Sequence, residues 1–227
     1  MNDPIFRSVM LLMFLTVGLT ACTTPPSSGV PAIQHTTAEV ETHPSQGDVV
    51  PIEDAHAELL TTDDGATMTF RTTDLQPGNV YTAWWVVIND PDACADSPCV
   101  PSDILSRPDA VHMEVTYADG ILVEEDGQGQ FAGYLATGSV PEAWYDHGFT
   151  NPRRAEIHIV INDHGPLIPE MATTMLTSYR GGCTDESLPP PFPSTAKADG
   201  EPGPNTCRLV QDAIFQQQEQ AHVSQYE

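Results

Sequence analysis

Val80 to Asn89 is the segment that most constrains how this chain can fold, carrying Tyr81, Trp84, Trp85, Val86, Val87 and Ile88 almost without polar interruption. β-Branched and aromatic side chains suit a pleated, buried surface. A short continuous apolar run between turn signals reads as a strand covered on both faces. Successive side chains on a strand point to opposite faces, so Trp84 and Trp85 cannot share one environment. One fills the core between layers. The other lies under a helix or loop layer, or joins Trp144 and Tyr145 in a binding surface.

The remaining strands are shorter and bounded by turn residues. They run from about Ala55 to Thr61, across Met68 and Phe70, over Gln130–Ala136 and Ala155–Asn162, and over a closing Cys207–Phe215. Leu75-Gln76-Pro77-Gly78-Asn79 places Pro and Gly where a type II turn needs them. Ala118-Asp119-Gly120 and Asp126-Gly127-Gln128-Gly129 read as turns around Ile121–Glu125. Pro108 to Tyr117 fits two patterns: Val111, Met113, Val115 and Tyr117 alternate as in a strand, whereas Pro108-Asp109 suits a short helix start, the reading preferred here. Glu170–Tyr179 reads as a second short helix. Thr184–Thr206 is low in complexity, with Pro189–Pro193 in polyproline II form. The expected fold class is all-β, a single antiparallel β-sandwich of about 7–8 short strands with one or two short helices in its loops.

Val86-Val87-Ile88-Asn89-Asp90 is echoed by Ile159-Val160-Ile161-Asn162-Asp163. Two core strands ending in the same Asx-type turn account for the echo; a duplicated half is the alternative.

The N-terminus carries an address. Arg7 precedes the apolar run Ser8–Ala21, which ends at Leu19-Thr20-Ala21-Cys22. About 14 apolar residues are too few to span a bilayer permanently. Residues 1–21 therefore read as a signal peptide, set apart from the fold. The segment resembles the bacterial lipoprotein pattern, in which Cys22 becomes the acylated first residue of the mature chain. That resemblance implies palmitate-type acylation, a partner in the lipid bilayer and a place in the cell envelope. Thr23 after the cysteine implies outer-membrane sorting. Several acyl chains give stable anchoring where a single one does not. Residues 22–48, rich in Thr, Pro and Ser, read as a disordered tether, residues 49–215 as the sandwich, and residues 216–227 as a frayed tail.

Four cysteines remain once Cys22 is set aside: Cys94, Cys99, Cys183 and Cys207. An even number suits an oxidising compartment. Of the three pairings, Cys94–Cys99 and Cys183–Cys207 are favoured, because each brackets a loop that nothing else holds. Neither spacing is the C-x2-C of a zinc site.

The charge is one-sided, with 32 Asp and Glu against 8 Lys and Arg and a net charge of −24. Such a surface repels nucleic acid and anionic headgroups. It suits salty water, or gathers Ca²⁺ or a cationic partner.

No standard catalytic signature is present: no G-x-S-x-G, no H-E-x-x-H and no Gly-rich phosphate loop. Glu156-Ile157-His158 followed by Asp163-His164 is the strongest chemical candidate, since Glu156 and His158 share one face of a strand. Two imidazoles and a carboxylate suit Zn²⁺ or Cu²⁺, so Glu156, His158 and His164 form a candidate metal set. A structural alternative hydrogen-bonds His158 to Glu156 and leaves His164 exposed in a turn. Trp144, Tyr145 and His147 form a candidate binding surface.

The Val80–Cys94 run, Ala155-Glu156-Ile157-His158, His164-Gly165-Pro166, Gly181-Gly182-Cys183 and Pro204-Asn205-Thr206-Cys207 together resemble a group of uncharacterised exported proteins of marine and halophilic prokaryotes. More remotely, a histidine-bearing strand in an exported sandwich is similar to chordin-type (CHRD) domains and copper/zinc superoxide dismutases. Glu156-Ile157-His158 departs from the dismutase H-x-H copper motif. The expected function is a lipid-anchored envelope protein that binds a protein or small ligand, with no catalytic activity and no cofactor assigned. The alternative is a zinc or copper protein, or a metal-dependent enzyme.

Overall fold

The computed structural model describes residues 33–216. The signal peptide, Cys22, the first part of the tether and all of the tail beyond Gln216 lie outside the described residues. Among the described residues nine strands form two antiparallel sheets. They are β1 (Gln34–Ala38), β2 (Glu41–Thr42), β3 (His56–Thr62), β4 (Gly65–Thr72), β5 (Asn79–Ile88), β6 (Met113–Leu122), β7 (Gly129–Ala136), β8 (Glu156–Pro166) and β9 (Arg208–Phe215). One sheet has the order β1-β3-β4-β7 and the other β2-β9-β8-β5-β6. Three short helices lie in the connections: α1 (Pro101–Ser106), α2 (Ala172–Thr177) and α3 (Ser194–Ala198). The all-β sandwich class expected from the sequence is the one observed.

The Trp pair shows why the molecule has two cores. Trp85, with Tyr81 and Val87, packs between the sheets against Met68, Phe70 and Phe131. Trp84, with Val86 and Ile88, faces away from that core and is covered by a loop layer that brings Ile104, Trp144, Tyr179 and Leu188. All ten residues of β5 are consequently buried. The outer face of the four-stranded sheet stays open to solvent, where Leu60 is 42% and Tyr134 61% exposed.

Both disulfides pair as expected, Cys94 with Cys99 and Cys183 with Cys207.

Five expectations need correction. Residues 107–112 form a turn, in which Ala110 N–H donates to Arg107 O and Met113 N–H to Pro108 O, and Met113–Tyr117 is strand rather than helix. The alternation of Met113, Val115 and Tyr117 toward the loop layer outweighs the helix-start signal at Pro108. Ala118-Asp119-Gly120 is not a turn but the continuation of β6. Ala118 is the extra residue opposite the Ala83–Trp84 step, a bulge that lets the strand bend. Gly120 is required there, because a Cβ would lie 2.1 Å from the Leu176 carbonyl of α2.

The tether is shorter than expected. Gln34–Ala38 adds to the edge of β3, from Gln34 opposite Thr61 to Ala38 opposite Ala57. Val40 is buried at the crossing between sheets, and Glu41–Thr42 pairs with β9. Backbone hydrogen bonds along two existing sheet edges order a segment whose own side chains show no apolar period. Thr184–Thr206 likewise folds, as a turn and α3, with Leu188 and Ala196 buried.

The Asn-Asp echo is not a shared turn. Asn89 follows β5 and knits loops together, donating to His112 O and Gly148 O and accepting from Thr150 N–H. Asn162 lies within β8, which continues to Pro166.

Candidate functional site

The outer face of the five-stranded sheet forms the floor of a cavity of about 320 Å³. Alternation selects its residues: Trp84 and Val86 from β5, His158 and Val160 from β8, Asp212 and Ile214 from β9. Ile104 and Leu105 of α1, with Trp144, Tyr179 and Phe192, supply the walls. The volume falls at the lower end of the roughly 300–1,000 Å³ range of small-molecule pockets, and a mostly apolar lining with a few convergent polar groups is the usual composition.

The aromatic wall is fixed by geometry and hydrogen bonds. Trp144 meets Tyr179 edge-on at 4.6 Å and Trp84 at 5.9 Å, and Trp84 meets Tyr179 edge-on at 5.0 Å. Trp84 Nε1–H can only donate, and it does so to Thr82 Oγ1 at 2.8 Å. The Thr82 hydroxyl then donates to His164 Nε2 at 2.8 Å. His164 therefore carries its proton on Nδ1, which donates to Gly181 O at 2.8 Å. Burial pushes His164 down to about 4, so it is neutral throughout this relay. Trp144 Nε1–H is buried without an acceptor among the described residues.

The polar end of the cavity holds Glu41, His43, His158 and Asp212. His158 Nε2 donates to Glu156 Oε1 at 2.7 Å, and Cys99 N–H donates to the same oxygen at 2.7 Å. Burial pulls the Glu156 carboxyl upward, but the hydrogen bond and charge of His158, with Cys99 N–H and Gln216, outweigh burial and hold it below its ordinary value. His43 Nδ1 accepts from Ser45 N–H at 3.1 Å. Burial, then the charge of His158, push His43 down to about 4.

Asp212 lies opposite Glu41 in the β2–β9 ladder. It is 7% exposed, and its carboxyl has no hydrogen bond or ion pair among the described residues. Burial first, then the Glu41 carboxylate, push it up to about 7. In the unfolded chain an aspartate ionises near 3.9. Between about pH 4 and 7 the folded protein thus keeps a proton the unfolded chain has released, and this contribution to stability falls as pH rises through that window. Asp212→Asn should therefore gain on wild type by about 1 kcal/mol per pH unit from about pH 4 to 7, read from urea unfolding at both ends. A stability difference independent of pH would count against this.

Glu156 and His158 share a face as the sequence indicates, but His164 does not join them. Six residues along β8 separate the two histidines by about 20 Å. His164 is fully buried within the strand rather than exposed in a turn. The candidate set Glu156, His158 and His164 therefore cannot hold one ion. His164, Cys183 and Cys207 place their ligand atoms within 4.8 Å of one another. The two sulfurs are bonded to each other, and both ring nitrogens of His164 already have partners. Of the expected binding surface, Trp144 is a buried wall of the cavity. Tyr145 and His147 are half-buried and stack at 6.1 Å, with His147 Nδ1 bonded to Met113 O at 2.7 Å.

Glu41, His43 and Asp212 escaped the sequence reading. The first two lay in the presumed tether. Asp212, within the apolar run Leu209–Phe215, was the one available signal.

Fold and site together define a disulfide-bonded β-sandwich with an apolar, acid-tipped cavity outside its five-stranded sheet. No protein-family model, curated protein sequence or solved structure matches the chain.

Proposed function

We propose that this protein is a non-catalytic binding protein of the cell envelope, anchored to the bilayer through acylated Cys22, that holds a small apolar ligand in the cavity above β5, β8 and β9. The observation that carries this reading is the cavity itself: a space of about 320 Å³ on the outer face of the five-stranded sheet, walled by Trp84, Trp144, Tyr179 and Phe192 and polar at one end. The cavity lining contains no serine, threonine or free thiol among the described residues, which favours binding over nucleophilic chemistry. The paired cysteines suit an oxidising compartment.

N-Phenyl-1-naphthylamine, a neutral apolar dye, should bind saturably at one site with enhanced emission. Val160→Phe fills the cavity floor without entering the inter-sheet core, and should abolish the signal while leaving the protein folded by circular dichroism. Dye emission that never saturates, or that survives Val160→Phe, would refute the reading. Labelled palmitate incorporated equally by wild type and Cys22→Ala would refute the anchor.

A further inference from the structure

Resting on the cavity being a ligand site, we propose that its ligand is a small protonated amine with an apolar body, its cationic head held by Asp212 and Glu41. The charge count at the polar end leads to this chemistry. Glu156 and His158 form a hydrogen-bonded pair whose charges cancel when both are ionised. His43 receives the Ser45 N–H on Nδ1, an arrangement that fits the neutral imidazole and not the imidazolium. No lysine or arginine lines the cavity among the described residues. The two acids that remain, Asp212 on β9 and Glu41 on β2, face each other across one ladder rung. Neither has a cationic partner or a hydrogen bond to its carboxyl among the described residues.

Like charges set side by side disfavour ionisation, and a cation brought between them reverses the effect. A carboxylate or phosphate ligand would add a third negative charge to this end. A neutral ligand would leave the acid pair uncompensated. An ammonium group supplies three donors and one positive charge, which answers both carboxylates at once. The apolar floor of Val86, Val160 and Ile214 then receives the hydrocarbon part. The whole-chain charge of −24 steers cations toward the protein and anions away.

In the unliganded protein burial first, then the Glu41 carboxylate, push Asp212 up to about 7. Seating a cation lowers it, so amine binding near pH 7 should release a proton. The titratable groups that line the cavity with Asp212 are Glu41, His43, Tyr179 and His158, the last paired with Glu156.

Three probes with the same eight-carbon chain separate the cases: n-octylamine, 1-octanol and octanoate, titrated calorimetrically at about pH 8 in about 0.5 M salt, which screens the acidic surface. Octylamine should bind at least about tenfold more tightly than octanol, in line with a charge-assisted hydrogen bond, and octanoate should be the weakest. Asp212→Asn should cost octylamine about tenfold or more while changing octanol about twofold at most. Glu41→Gln should act in the same direction with a smaller loss. Near pH 7, octylamine heats should differ between buffers of different ionisation enthalpy by an amount that reports proton release. Octanol or octanoate binding as tightly as octylamine, or octylamine affinity unmoved in Asp212→Asn, overturns the amine assignment and leaves the cavity as a neutral site. Failure of all three probes overturns the cavity reading as well.

Discussion

Replacing Glu114 by alanine is expected to remove about 3–5 kcal/mol of folding stability, a large share of the roughly 5–15 kcal/mol available to a domain of this kind. Glu114 is 1% exposed. Oε1 accepts from Tyr145 N–H at 2.8 Å and Val115 N–H at 3.1 Å. Oε2 accepts from His147 N–H at 3.0 Å and Gly148 N–H at 2.9 Å. A buried carboxylate is thus held by four main-chain donors, with no cationic partner among the described residues. Removing it strands those donors, each at about 1–3 kcal/mol less whatever an entering water recovers.

The loss should also reach the site. The same turn carries Trp144, whose main-chain N–H bonds to Val115 O at 3.0 Å and whose ring forms part of the cavity wall. Glu114→Ala should therefore weaken dye binding even at temperatures where the sandwich survives. Glu114→Gln, which keeps one acceptor and turns an NH₂ toward the other donors, should fall between. Urea unfolding of the three proteins decides the matter. An alanine variant within about 0.5 kcal/mol of wild type would mean that water replaces the carboxylate without loss.

The second large effect belongs to the Cys183–Cys207 bridge. Its cysteines are 24 residues apart in sequence, against 5 for Cys94–Cys99. On the chain-entropy account the longer loop contributes about 3 kcal/mol and the shorter about 2 kcal/mol. The longer loop also brings Leu188 and Ala196 to the outer core and Phe192 to the cavity. Main-chain bonds such as Thr184 N–H to Asn205 O and Gly182 N–H to Glu201 O hold its base, so its apex depends most on the bridge. Cys183→Ala with Cys207→Ala should lower the urea midpoint more than Cys94→Ala with Cys99→Ala, and only the first pair should lose the Phe192 wall. Equal midpoints for the two double variants would assign the stability to the loop's own hydrogen bonds.

Some of this was legible before any coordinates. Val80–Asn89 read as a strand covered on both sides because its apolar run is continuous, and the disulfides followed from loops that lacked another anchor. Pro108–Tyr117 was ambiguous, since a helix-start signal and a period-two pattern overlap there. Gln34–Thr42 was misread because an edge strand gains its stability from a neighbour's unpaired backbone rather than from its own side chains. His158 and His164 stood close in sequence and share a strand, yet an extended chain carries them apart.

The residues alone determined the local matters: the principal strands, the opposite faces of Trp84 and Trp85, and the pairing of the four cysteines. These follow from alternation and loop closure, which are written into short stretches of chain. Only the tertiary structure decided that a second core lies outside the five-stranded sheet, that it is hollow, and that Glu41 meets Asp212 there. Cross-strand register joins residues far apart in sequence, and it is set by the packing of whole sheets. No local pattern records which acid will face which across a ladder.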